Sequence, residues 1–547
     1  IGAYEFETLA KGRRLYVSKT GDNSDGLSWA TAYADPQRAI DQLYGDGTRG
    51  KGEVWIAKGV YVPQSYIKSN IADDQTTPLA FQMRNGISVY GGFDGTEDDL
   101  SDRKYKGNEP WQFANETILR GSDYTENSAK WNTTDEMWAV SSKSYHVVWF
   151  AANPYEMKTI TDAEFSLSTV LDGVTVEGGS ASSNGDLKFC PQQGAGIYMM
   201  GANNTLRRCI VRNNNAGMKS LHQSATLSPQ GGGIYNLGGQ IRYSLVYNNS
   251  AAEGGGIYMS AVGFVNNSMV ANNSAVNGSG IFVDRSFAQE QYLIIATNVI
   301  TNNTSTSNGA VYVNGDGLVE QCTIANNYTS NVTDDTGAGV TSHTGGLYIT
   351  GAATVINNIL WNNSLKQTAG KDSKKATESL AQVYAYRPSR DSTLFYNNAI
   401  TDVNSTAWND VYQTGTYELT SSEFAIGSGK QYNVADSLST QRGVQATWTN
   451  IDYYWITRSN SVLRDKGMLY GQLAKEVLFK PCTDFHERNF EAKPPIGPYI
   501  SDSPEIVFDA HSKPGTLRLY FDDSTGNPQG NGSSWAEAYT SLNDLLT

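Results

Sequence analysis

The sequence predicts an all-β chain wound as a parallel β-helix solenoid and closed at its start by a short capping helix. Three observations carry that prediction. One short element recurs along the middle of the chain as GAGIYM (194–199), GGGIYN (231–236), GGGIYM (254–259), GSGIFV (278–283), GAVYV (309–313) and GGLYI (345–349). A second alternates with it as CIVRNN (209–214), SLVYNN (244–249), SMVANN (268–273), NVITNN (298–303), CTIANN (322–327) and NILWNN (358–363). The composition agrees, with 54 Gly and 32 Tyr but only 18% charged residues, unlike a helix-rich cytosolic protein. Where nothing is inserted, as from Asn249 to Asn273, the period is 24 residues, room for two short strands separated by Gly and Asn-Asn turns. Such strands make no core alone, so each must stack on its equivalent in the next coil, about 4.8 Å away.

The first element is the helix. Asp35 and Pro36 have the form of an N-cap and first helical residue, and Ala39, Ile40 and Leu43 then share one face. An amphipathic helix here would cover the open end of the solenoid, whose unpaired edge would otherwise invite aggregation. Next come VWIAKGVYV (54–62), ISVYGGFDG (87–95), TILRGSD (117–123) and VLDGVTVEGG (170–179), each a short strand ended by a Gly turn, and together a set of irregular early coils.

In the regular coils, alternation sorts inside from outside. Ile197, Ile234, Ile257, Ile281, Val311 and Leu347 form one inward aliphatic stack, and Val211, Val246, Val270, Ile300, Ile324 and Leu360 a second. Two residues before the second set, Cys209, Ser244, Ser268, Asn298, Cys322 and Asn358 share its inward face, so Cys209 and Cys322 lie about 19 Å apart and cannot form a disulfide. The second Asn of each pair, Asn214, Asn249, Asn273, Asn303, Asn327 and Asn363, predicts an amide ladder, and Asn and Gly tolerate the left-handed backbone of tight corners. Sequons at Asn248, Asn272, Asn302 and Asn362 read as turn formers rather than glycan sites. Insertions at 215–230, 328–344 and 364–391 interrupt the period, where a solenoid places binding loops.

A longer repeat joins the two ends. RRLYVSKTGDNSDGLSWATAYADPQRAI (13–40) returns as LRLYFDDSTGNPQGNGSSWAEAYTSLNDLL (517–546), and IGAYEFE (1–7) matches IGPYISD (496–502). Residues 1–12 therefore read as the tail of a preceding unit, and 13–500 as one β-helix domain with regular coils at about 194–363. Residues 501–547 read as a linker and the start of a following unit.

These motifs resemble the right-handed parallel β-helix proteins of the pectin-lyase-like superfamily, in particular large surface and secreted proteins of Bacteroidetes-type bacteria. The resemblance runs from LYVSKTGDNSDGLSWATAY through the GGGIY and NN coils to SNSVLRDKG (459–467) and PPIGPYI (494–500), and the coil pair is also similar to the repeat of chlamydial polymorphic outer-membrane proteins. It implies an extracellular or cell-surface location. It leaves function open, because the superfamily holds lyases, hydrolases, epimerases, adhesins and passive stalks.

A net charge of -14 argues against nucleic acid as a partner, and no run of apolar residues is long enough for a transmembrane segment. Four cysteines (Cys190, Cys209, Cys322, Cys482) and five histidines are too scattered for a metal centre, and no cofactor is expected. Asp22, Asn23, Asp25 and Gly26 have the composition of a calcium loop, but the later copy places Pro528 and Asn531 where Asp22 and Asp25 stand, which argues against a required metal. A hydrolase would need two carboxylates about 5 to 9.5 Å apart. The acidic residues of the coils, among them Glu253, Asp284, Asp316 and Glu320, do not recur in register, and the NTD, DD and GHG set of the polygalacturonase-like branch is absent. Arg207, Arg208 and Arg212, and the Asp284–Arg285 pair, read as solvated surface charge rather than as a lyase site, so no catalytic residues are assigned.

The candidate ligand-binding residues are Tyr198, Tyr235, Tyr258, Phe282, Tyr312 and Tyr348, the outward neighbours of the first aliphatic stack. They predict an aromatic ladder along the axis. It either stacks on sugar rings or stacks on itself and stabilises the sheet, and the second reading is preferred. The function expected is a non-catalytic extracellular module of a tandem-repeat surface protein, a stalk, filament or adhesin. Its partners would be neighbouring units of the same chain, with surface glycans or other surface proteins as further candidates. The alternative is a polysaccharide-active lyase or hydrolase, or a glycan-binding module.

Overall fold

Corners decide how this chain coils. The first Asn of each pair (Asn213, Asn248, Asn272, Asn302, Asn326 and Asn362) has φ between 49 and 56°, and Gly194, Gly231, Gly254, Gly278 and Gly309 turn another corner with φ between 52 and 66°. A third corner uses one left-handed residue just ahead of the second motif: Arg208, Tyr243, Asn267, Thr297, Gln321 or Asn357. Single-residue corners leave room for more strands than the two per coil expected. The 24-residue coil runs Ile257–Ser260, Gly263–Asn266, Met269–Ala271 and Ser274–Asn277, four strands in all. The two unanticipated strands carry few constant side chains, one being marked only by an inward aliphatic (Val265) and the other by small residues.

A computed structural model describes residues 13–45 and, with gaps in the loops, 52–418, together with strands Gln431–Asn433 and Asn450–Asp452. Its strands stack into a parallel β-helix. Among the described residues sheet I has twelve strands, from Arg13–Val17 to Val411–Thr414, and sheet II eleven, from Gly59–Tyr61 to Tyr417–Glu418. Sheet III has ten, from Phe81–Gln82 to Thr406–Trp408, and sheet IV six, from Ser250–Glu253 to Thr377–Leu380. Neighbours pair in parallel except where sheet IV ends, Ser364–Gln367 running antiparallel to Thr377–Leu380. The early segments behave as expected of irregular coils, Gly52–Ala57, Ile87–Phe93 and Thr169–Asp172 joining sheet I and Thr117–Arg120 and Val174–Glu177 joining sheet II. The matching ends of the sequence, 1–7 with 496–502 and the copy at 517–546, lie outside the described residues, as do Cys190 and Cys482.

Both expected aliphatic stacks form, in register and fully buried, with a third beside them at Leu206, Ile241, Val265, Ile295, Val319 and Val355. Cys209 and Cys322 are free and buried in their column. The amide ladder is complete. The Oδ1 of Asn273 accepts from both the backbone N–H and Nδ2 of Asn249, while its own Nδ2 donates to Val246 O and to Asn303 Oδ1, all at 3.0–3.1 Å. The ladder begins at Gly179 N and ends on the Gln382 carboxamide, which replaces Asn in the last rung. Gly256 is glycine because a Cβ there would meet Gly280 O at 2.6 Å and Asn273 Nδ2 at 2.9 Å.

The helix spans Pro36–Gly45, its Gln37 N–H capped by Asp35 Oδ1 at 3.0 Å, and it buries Ala39, Ile40 and Leu43 against the first strands. One contact goes beyond the expected cover. The buried Gln37 side chain accepts from Gln82 N at 2.7 Å and donates to Gln82 O at 3.2 Å, satisfying the outermost strand of sheet III as a neighbouring strand would.

Candidate functional site

Sheet III presents the aromatic column. Each strand turns an aliphatic residue in, an aromatic residue out and a third residue in, and parallel register places every aromatic over the last. Ring centroids are 5.2 Å apart for Tyr198–Tyr235 and Tyr235–Tyr258, 5.4 Å for Tyr258–Phe282, 4.6 Å for Phe282–Tyr312 and 4.7 Å for Tyr312–Tyr348. Two further rings extend it, Trp149 on Tyr198 at 4.2 Å and Tyr384 on Tyr348 at 5.3 Å. Both were legible as alternating VVWF (147–150) and VYA (383–385), which lack the Gly-rich lead-in used to find the others. The faces of the interior rings are taken by their neighbours, so what these rings can offer a ligand is edges and hydroxyls. Tyr198, Tyr235, Tyr258 and Phe282 are buried, and Tyr312 and Tyr348 half-buried. Burial pushes the Tyr235 and Tyr348 phenols up to about 12 and those of Tyr198 and Tyr258 higher still, so these hydroxyls stay protonated donors.

Polar residues flank this column on both sides. On one, Thr350 Oγ1 is 3.0 Å from Asn314 Oδ1, Asn314 Nδ2 donates to Asp284 Oδ1 at 3.2 Å and Tyr258 OH donates to Asp284 Oδ2 at 2.8 Å. On the other, Gln193 donates to Gln230 and Gln230 to Glu253, and the His343 ring lies 4.0 Å from that of Tyr384. Burial raises the Glu253 carboxyl. Arg285 lies outside the described residues.

At the N-terminal end of the column sits His146, fully buried, with Nδ1 2.9 Å from Gly194 O and its ring 4.8 Å from that of Trp149. A carbonyl accepts, so Nδ1 carries the proton and Nε2 is an acceptor. Among the described residues neither Nε2 nor the Trp149 indole N–H has a hydrogen-bond partner. Burial lowers the imidazole to about 4.

The arginines are not the solvated surface charge expected. Asp172, fully buried at the end of a sheet I strand, accepts from Arg103 Nη1 at 2.7 Å, from Arg208 Nε at 3.0 Å and from Arg207 Nε at 2.5 Å. Glu177 binds Arg120 and Arg212, and Arg212 Nη1 also reaches Tyr247 OH at 3.2 Å. Despite the desolvation that burial imposes, the three guanidinium groups hold the Asp172 carboxyl well below the carboxylate range. These arginines are held as hydrogen-bond donors to the Asp172 and Glu177 carboxylates. Asp172 and Glu177 stand in VLDGVTVEGG, each just ahead of a Gly turn that ends its strand. Asp22 and Asp25 spend carboxylate oxygens on the N–H groups of Ser24 and Leu27 within their own loop.

A family model described as a right-handed β-helix region matches residues 158–328. No curated protein matches the chain in sequence. Solved structures similar to it include the pectate lyase Pel9A, at 12% identity and a TM-score of 0.47, covering 90% of this chain and 98% of that one. XylC in complex with xylose matches at 9% identity and a TM-score of 0.34, over 89% of this chain and 98% of that one. The A-module of mannuronan C-5 epimerase AlgE4 from Azotobacter vinelandii matches at 12% and 0.28, over 70% and 94%. The chain is an all-β, right-handed parallel β-helix.

Proposed function

We propose that this β-helix is one unit of a tandem array working at or beyond the cell surface as a non-catalytic stalk, filament or adhesin. One observation carries the reading: the recurrence of 13–40 at 517–546 keeps the residues that have structural work in the first copy. Buried Leu15, Ala32, Tyr33, Ala39 and Ile40 correspond to Leu519, Ala538, Tyr539, Leu545 and Leu546. The N-cap Asp35 corresponds to Ser541, another capping residue, and the edge-satisfying Gln37 to Asn543, another carboxamide. The match also extends to exposed positions, Ser28 and Ala30 returning as Ser534 and Ala536, so the whole entry segment recurs. The test is the denatured mass of the native polypeptide, detected with an antibody against this segment. A mass of several units supports the array, and a mass near 59.5 kDa overturns it.

A second reading, a polysaccharide-active enzyme, is favoured by Glu253 and Asp284 on either side of the phenol row. Burial raises the first, suiting a general acid, while the second accepts from Tyr258 and Asn314, suiting a carboxylate base. A reducing-end assay over acidic and neutral glycans decides it. Turnover abolished by Asp284→Asn would establish this reading over the first, and no turnover on any glycan would remove it.

A further inference from the structure

On sheet I the guanidinium groups around Asp172 outnumber the carboxylates that face them. Asp172, Arg207, Arg242 and Asn266 follow one another in register on successive coils, each about 4.8 Å from the next. Asp172 already accepts from three guanidinium groups, and one carboxylate offers about four lone-pair positions, so it has little capacity left for a fourth. Arg242 is that fourth. Among the described residues it makes no ion pair, and its Nε–H is buried without a hydrogen-bond partner. The Arg207 side chain beside it is 25% exposed, so the pair faces solvent over part of its surface. Two arginines in register on adjacent strands, one of them outside any ion pair among the described residues, repel each other unless an anion lies between them. A buried orphan donor in a native protein calls for an ion or a water.

We propose that Arg207 and Arg242 form a binding site for an oxyanion, a sulfate, phosphate or carboxylate group, supplied either as a free ion or as a substituent of a polymer lying along the coils. The guanidinium forks present parallel N–H donors that match the paired oxygens of such groups. Nothing in this site draws on the phenol row of sheet III or on the tandem array, so it stands or falls separately from both readings of function.

The probes are sodium sulfate, dextran sulfate and uncharged dextran, titrated calorimetrically at low salt into the full chain and into Arg242→Gln and Lys143→Gln. The second variant removes the same charge from an exposed pair elsewhere. Loss of a charge-assisted bond predicts about tenfold or more weaker binding to Arg242→Gln and little change for Lys143→Gln. Binding of sulfate and dextran sulfate alike identifies the free ion as sufficient, and binding of dextran sulfate alone identifies the polymer. Failure of both anions to bind the wild type, or equal weakening by the two variants, overturns the site. Arg242 Nε–H would then be met by a water shared with the unpartnered Asn266 Oδ1. Should Arg242→Gln fail to fold, Arg242→Lys keeps the charge, loses the fork and should still bind more weakly than Lys143→Gln.

Discussion

At the scale of single residues, buried carboxamides and one buried imidazole set the stability of the coil. Asn273 accepts from two donors of Asn249 and donates twice, so Asn273→Ala strands buried groups on both sides. A cost of about 3 kcal/mol is expected, read from urea unfolding monitored by circular dichroism. Asn273→Ser should cost less, because Ser244 and Ser268 already accept a neighbouring backbone N–H in the adjacent column. The imidazole adds a pH dependence. Burial lowers the folded-state pKa of His146 from 6.5 to about 4, so the unfolded chain binds the extra proton throughout that window. Stability should therefore rise with pH from about 4 to 6.5, by roughly 3 kcal/mol for this group alone. Glu253 and Asp35, both raised by burial, act in the opposite sense above the ordinary carboxylate range, and Asp172 adds a loss only below that range. The check is the difference between wild type and His146→Gln, whose melting temperature should be flatter across pH 4 to 6.5. The Asn ladder was legible because it repeats, whereas His146 was not, since nothing beside an unrepeated His in YHVVWF tells burial from exposure.

At the scale of elements, the strands that repeat with outward character are legible in the sequence, while those without it leave only a faint periodic mark. Sheets II and III announce themselves by Asn-Asn and Ile-Tyr. Sheet I is marked only by an aliphatic five residues before each one of the second stack, as Val265 stands before Val270, a column without outward character of its own. The outward ladder was predicted, but its ring-on-ring geometry depends on parallel register, which a repeat implies only when no coil slips. The capping helix shows the same limit: its apolar face was evident, while the role of Gln37 depends on a strand distant in sequence. Gln37→Leu should keep the helix, since Asp35 still caps it, yet remove the side chain that pairs Gln82 N–H and C=O at the sheet edge. The expected result is near-normal circular dichroism with faster concentration-dependent aggregation, followed by light scattering, because edge strands without partners recruit other chains. Gln37→Asn, the residue found in the later copy, should aggregate less than Gln37→Leu.

At the scale of the whole molecule, the cap bears on how successive units would join. A β-helix can lengthen by adding coils, in which case neighbouring units share one continuous core and unfold together. Here the start of the solenoid is covered by a helix whose buried face and carboxamide close the first strands, and the sequence of that cap recurs at 535–546. In the array proposed above, a cap at the head of every unit would interrupt the sheets. Units should then be separate cores joined by linkers, as beads on a chain. Limited proteolysis of the native polypeptide should release a ladder of resistant fragments stepping by about 500 residues, the spacing of the sequence repeat. Each fragment should melt at the temperature of the intact chain, because no interface is lost when a linker is cut. Continuous stacking gives the opposite result: no regular step in the digest, and a melting temperature that falls as the fragment shortens.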